Sequence, residues 1–136
     1  MDPTIARVLS LRTIDIFSTL SYETLAELAG LVRTHLAAPG DVIIESGSVG
    51  RDLYALVRGD VEVTTDDGHV SRLSEGTVFG ELAILDPAPR SATVVAVTDV
   101  ELLVVSRATL LALADRRPTV MSEIARVLAR RLRAAT

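Results

Sequence analysis

Residues 38–63, APGDVIIESGSVGRDLYALVRGDVEV, break into three apolar runs, VIIES, DLYALVR and VEV, set off by the glycine-bearing turns PGD, GSVG and RGD. The runs are too short for ordinary helices and rich in β-branched residues, so each reads as a strand. Gly40, Gly47 and Gly59 serve the turns. The same rhythm continues through HVSRL, SATVVAV and VELLVVS, with DDG, SEG and TD between them. So many short strands over residues 32–106 indicate a sandwich or a rolled barrel.

Both flanks carry a helical period instead. Asp2 and Pro3 make a helix start, and SYETLAELAGLV offers Ser21 as an N-cap with Leu25, Leu28 and Ala29 on one face. After the strands, Ser106 can cap RATLLALADRR and Pro118 fits the first position of a last helix. That helix carries Val120, Ile124, Val127, Leu128 and Leu132 on one stripe, with Glu123, Arg126, Arg130 and Arg133 off it. The stripe must cover something apolar: plain core, a lid over a ligand, or both.

The 136 residues suit one domain, with 49% apolar and 24% charged residues, the balance of a globular protein. There is no cysteine, which excludes disulfides and Cys-ligated metals. All fourteen basic residues are Arg, and the net charge of −4 argues against a general nucleic-acid coat. Residues 116–133 nevertheless hold six Arg against one acid, Glu123; they form either a solvated helix face or a docking surface for an acidic partner. No apolar run approaches a membrane span, and MDPTIARVLS has neither the charge nor the apolarity of a signal peptide. No membrane insertion is expected, and the cytoplasm is the expected location.

One element is out of place in the strand region. GELAIL, residues 80–85, has helical propensity and stands within FGELAILDPAPRSATV, residues 79–94. A helical turn opening at Gly80 would present unpartnered amides, a ready anion site, and glycine allows close approach. Pro87 and Pro89 stiffen the return, so Arg90 is delivered to the same place, where its fork suits phosphate oxygens and Ser91 adds a hydroxyl. Glu81 would repel a bare phosphate. It makes sense beside a ligand that also presents a hydroxyl, as ribose does, and a cyclic sugar phosphate satisfies both.

FGELAIL followed by PRSATV resembles the phosphate-binding cassette of the cyclic-nucleotide-binding domain family, which includes kinase regulatory subunits, the catabolite activator protein and nucleotide-gated channels. The match covers Gly80, Glu81, Leu82 and Ala83, then Arg90, Ser91, Ala92 and Thr93, and the early strands resemble the family's as well. The resemblance implies that Glu81 accepts the ribose 2′-hydroxyl, Arg90 and Ser91 bind phosphate, and the amides of Leu82 and Ala83 donate to it. It implies cAMP as ligand, with cGMP as the second choice, since bacterial members carry Ser at the position of Ser91. No further cofactor is expected. Direct nucleic-acid binding is not implied, because the family's transcription factors use a helix-turn-helix after the long helix and this sequence stops at Thr136. The chain is expected to be a small sensor or a module of a larger protein with an effector domain, and a homodimer through its C-terminal helix is the expected assembly.

Catalysis has little support. His35 and His69 are far apart in sequence with no metal-ligand spacing, and Asp66 and Asp67 read as turn formers. Three readings stand: a cyclic-nucleotide sensor, a scaffold that keeps the fold with Glu81 and Arg90 joined in a salt bridge, and, more distantly, a phosphoesterase. The expected fold is α+β: one domain over 1–136, with N-terminal helices over 1–31, an antiparallel eight-stranded, jelly-roll-like β-roll over 32–106 holding the cassette at 79–94, and two C-terminal helices over 107–136. The last helix is expected to act as a mobile lid that the ligand repositions.

Overall fold

A computed structural model describes residues 3–135, with the backbone alone described for Leu82, Leu85 and Ala135. Asp2, read as part of the first helix start, lies outside the described residues. Helix α1 (Pro3–Arg12) leads through a 3-10 turn (Asp15–Phe17) into α2 (Tyr22–Ala29). Eight strands follow: β1 (Arg33–Ala37), β2 (Val42–Ile44), β3 (Asp52–Arg58), β4 (Val61–Thr65), β5 (Val70–Leu73), β6 (Val78–Phe79), β7 (Ala92–Ala96) and β8 (Val100–Ser106). The short helix α3 (Leu82–Leu85) separates β6 from β7, and α4 (Arg107–Arg116) and α5 (Thr119–Ala135) close the chain.

The local signals act as the residues dictate. Ser21 Oγ accepts the Thr24 amide at 3.2 Å, and Ser106 Oγ accepts that of Thr109 at 3.1 Å, each cap being worth about 1 kcal/mol. Pro118 stands one residue ahead of α5 rather than at its first position, where Thr119 is found instead. The one-residue offset is within the fraying of any helix end. Gly40, Gly47 and Gly59 have φ near +90°, the left-handed region that glycine enters without strain.

The strands form two antiparallel four-stranded sheets, β1-β8-β3-β6 and β2-β7-β4-β5. Between them lies one apolar core, which includes Leu56, Leu102, Val61, Val94 and Phe79. A second core lies on the outer face of the first sheet, where Leu53, Ala55, Leu103 and Val105 meet the helices through Leu11, Phe17, Leu25, Leu28 and Leu113. The alternation along β3 and β8 follows the pleat, odd-numbered residues to the helices and even-numbered ones such as Leu56 and Leu102 to the roll. Because both faces of β8 are covered, its residues 102–105, LLVV, are apolar without a break. Val120, Ile124 and Val127 of α5 belong to the helix-side core, and the stripe then emerges at Leu132, which is 69% exposed. The upper half of the stripe is therefore core, packed among the other helices. Among the described residues no helix is long and apolar enough to cross a membrane.

Candidate ligand site

Arg90 is delivered to its place by the backbone on either side of it. Its amide donates to Ser48 O and its carbonyl accepts from Gly47 N, both at 2.7 Å, while Pro89 bridges Val49. The side chain then runs back across β3: Nη2 donates to Asp52 O at 2.8 Å and Nη1 to Gly80 O at 3.3 Å. Two glycines leave room for it. A Cβ on Gly50 would lie 2.5 Å from Nε and Nη2 of Arg90, and one on Gly80, where φ is +77°, would lie 2.8 Å from Nη1.

Both partners of the guanidinium are thus neutral carbonyls. The Asp52 carboxylate is turned away to Arg33 at 3.3 Å, and Arg90 forms no ion pair with any described residue. A half-buried cation keeps its full charge and three unused N–H donors. Across the same cleft Glu81 is half-buried, and its carboxylate takes no hydrogen bond or ion pair from the described residues. The salt bridge between Glu81 and Arg90, the mark of a cassette kept only for its fold, does not form.

The cleft has a volume of about 640 Å³. Gly80, Glu81, Ala83, Arg90, Ser91 and Ala92 all line it. The opposite wall is apolar, built by Ile44, Val63, Leu73 and Val94 of the second sheet. Leu82 stands at the first position of α3, where a helix offers its amide no partner. The Ala83 amide is differently placed: it donates to Gly80 O at 3.2 Å, so the turn already uses one of the two amides expected to face an anion. Ser91 is exposed at the rim and Ala92 opens β7.

Four residues that spacing did not single out complete the surroundings. Gly50 seats Arg90, and Asp52 supplies a carbonyl to it. Arg107, the first residue of α4, donates through Nε to Ile84 O at 3.0 Å, which ties the cassette helix to the C-terminal helices. Arg131 reaches the cleft from α5 while paired with Asp15 of the 3-10 turn. The arginine-rich segment is also less free than its composition implies: Arg116 and Arg117 hold Glu27, Arg126 holds Glu123, and Arg131 holds Asp15.

His35 and His69 are exposed on or beside strands, and Asp67 closes the DDG turn. Hydrogen bonds from the Thr65 hydroxyl and the His69 amide hold the Asp67 carboxyl below the usual range, as suits a turn former. Among the described residues no cluster of three His, Asp or Glu could hold a metal ion.

Residues 35–117 match the family model described as the cyclic nucleotide-binding domain. A cyclic AMP receptor protein of Thermus thermophilus is 38% identical over 125 residues, 88% of this chain and 58% of that protein. A cAMP-dependent protein kinase regulatory subunit of Colletotrichum orbiculare is 38% identical over 93 residues, 67% of this chain and 24% of its own length. Among solved structures, the N-terminal domain of a transcriptional regulator from Streptomyces coelicolor superposes with a TM-score of 0.78 at 34% identity, over 93% of this chain and 92% of that one. The chain spans about a quarter of the kinase subunit's length.

Proposed function

This chain belongs to the cyclic nucleotide-binding domain family, and we propose that it is a non-catalytic regulatory sensor that binds a cyclic nucleoside monophosphate in the cleft beneath residues 79–94. The observation that carries this reading is the pair of unspent opposite charges in one cleft, Arg90 held only by carbonyls and Glu81 held by nothing described. A cation retained without a carboxylate partner is costly unless an anion arrives. A ligand with a phosphate beside a hydroxyl donor would occupy both.

In this reading Arg90 and Ser91 take the cyclic phosphate together with the Leu82 amide, Gly80 and Ala83 allow its close approach, Glu81 accepts the ribose 2′-hydroxyl, and Ala92 floors the site. The apolar wall of the second sheet receives the base. cAMP is the favoured ligand, supported by the similarity to a cyclic AMP receptor protein and to a cAMP-dependent kinase regulatory subunit, and Ser91 alone would discriminate by less than tenfold because it offers one hydrogen bond of about 1 kcal/mol. No further cofactor is required. The last helix answers the ligand by a change of position, which requires the ligand to contact the two positions unequally. The exposed end of its stripe at Leu132 favours pairing with a second copy, and the effector would be another domain or partner in the cytoplasm.

Calorimetric titration with cAMP and cGMP tests the reading. Saturable binding is expected, weakened by about 2 to 5 kcal/mol in Arg90→Ala, since truncating one partner of a buried charge pair leaves the other unmatched. If neither nucleotide binds, the fold serves as a protein-interaction scaffold instead.

A further inference from the structure

The helices cover the outer face of the first sheet only in part. Leu103 and Val105 of β8 lie beneath them, but Glu101, the next residue of the strand on that face, borders a groove of about 480 Å³. Leu36 of β1 and Arg58 of β3 stand opposite Glu101 on either side, so the three side chains make one row across three strands. Leu36 is 71% exposed, more than any other large apolar residue described. Asp41 and Asp99 add two carboxylates to the rim. Asp41 is fixed there, because its Oδ2 accepts the Ala38 amide at 2.8 Å, and the Asp99 carboxylate takes no hydrogen bond or ion pair from the described residues. Arg58 reaches only Glu101, at 3.8 Å. Three carboxylates thus face one loosely held guanidinium around an apolar patch.

The groove also opens on a free strand edge. β1 ends its sheet and pairs with β8 alone. Arg7 of α1 blocks the start of that edge, donating to Val32 O at 3.0 Å and to Thr34 Oγ1 at 3.4 Å. From His35 to Ala37 no described residue bonds to the outer side of the strand, and these three residues include none of the lysines or prolines that guard such an edge.

We propose that this end of the first sheet docks an extended, basic segment of a partner protein, which adds to β1 as a further strand. Main-chain hydrogen bonds to His35–Ala37 supply the attachment, and side chains on the groove face supply the choice of partner. Successive side chains of a strand alternate between faces, so an apolar residue laid on Leu36 with a basic residue two positions to either side matches the groove, the basic pair meeting Asp41, Asp99 and Glu101. The chain's own arginine-rich segment is folded into α5 and does not offer such a strand, which favours a different protein over a second copy. The groove shares no lining residue with the ligand cleft. Arg58 stands six residues along β3 from Asp52, about 20 Å at the rise of a strand, so docking and ligand binding use opposite ends of one sheet. The inference does not depend on what the cleft binds.

The test is fluorescence anisotropy of the whole chain with a labelled heptapeptide, Thr-Arg-Thr-Val-Thr-Arg-Thr. Its companions are the same peptide with Glu in place of Arg, the Arg peptide N-methylated at alternate amides, and a peptide of residues 119–136 of this chain. Saturable binding of the Arg peptide is expected, weaker at raised salt, with none for the Glu peptide. The N-methylated peptide keeps its charge but cannot add to a strand edge, and should not bind. Leu36→Ser should weaken the Arg peptide about tenfold, and the double variant Asp99→Asn/Glu101→Gln several-fold. All these residues are at least partly exposed, so thermal melts should match wild type. No binding of the Arg peptide, equal binding of the Glu or N-methylated peptide, or affinity unchanged in both variants overturns the proposal. Tighter binding of the 119–136 peptide overturns it in favour of a second copy as the occupant.

Discussion

A guanidinium can be held in place without being neutralised, and the seat of Arg90 shows how the chain does this at the scale of single residues. Carbonyls at Asp52 and Gly80 orient the fork, and two absent side chains, at Gly50 and Gly80, give it space. Gly50 is the sharper test because it does not sit in the left-handed region, so an alanine there meets only the flexible end of Arg90. Gly50→Ala should leave the melting temperature almost unchanged yet weaken cyclic-nucleotide binding by about 1.5 to 3 kcal/mol, the value of a hydrogen bond to a charged group. Calorimetry beside a thermal melt would decide it; equal affinity with a normal melt would mean that Arg90 has room to spare. That Arg90, Glu81 and Ser91 come together in one cleft was legible in the sequence because their chemistry is unusual for a strand region. Gly50 was not, since a glycine in GSVG passes for a turn former, and its service is to a side chain delivered by the cassette. Arg131 was hidden for another reason: it is one of six arginines in its segment, and nothing in their spacing tells which one will meet Asp15.

At the scale of elements, the helices are joined by charge as well as by packing. Glu27 of α2 accepts from Arg116 Nε at 2.7 Å and from Arg117 Nε at 3.1 Å, so one carboxylate gathers the end of α4 and the approach to α5. The hydrogen bonds from Arg116 and then Arg117 hold the Glu27 carboxyl below its ordinary value of 4.5. A depressed folded-state pKa contributes stability above the unfolded value, and that contribution is lost as the pH falls through the depressed one. Glu27→Gln should therefore melt lower than wild type at pH 7, and the difference should close as the pH drops below 4.5. A gap that persists in acid would show that Glu27 acts by packing rather than by charge. Legibility also varied by element. β8 and the Ser-capped helices announce themselves through composition, because burial on both faces and an N-cap each leave a mark in the chain. β6 leaves none: two residues become a strand only because Tyr54 and Ala55 of β3 pair with Phe79 and Val78, with the Tyr54 and Phe79 rings stacked at 5.2 Å. β1 was equally faint, with four of its five residues exposed at a sheet edge.

For the whole molecule the decisive feature is that the roll and the helices press on opposite faces of one sheet, with β3 and β8 serving both. Neither core is closed without that sheet. Ile124, 2% exposed, illustrates the dependence: Ile124→Ala should cost about 2 to 4 kcal/mol, as a cavity in a packed interior does, although the residue lies on a helix assigned a moving part. The same sharing bears on how the chain comes apart. Two modules laid side by side would melt in two steps, each with its own heat. A wall common to both leaves no boundary along which to divide, so differential scanning calorimetry should record one transition of about 95 kcal/mol for 136 residues, with calorimetric and van't Hoff enthalpies equal. Two resolved peaks would mean that the sheet stands without the helices. If the transition is single, a nucleotide that touches mainly the roll protects the helices against heat to the same extent, and the first helix in the chain becomes a thermometer for a ligand it never meets.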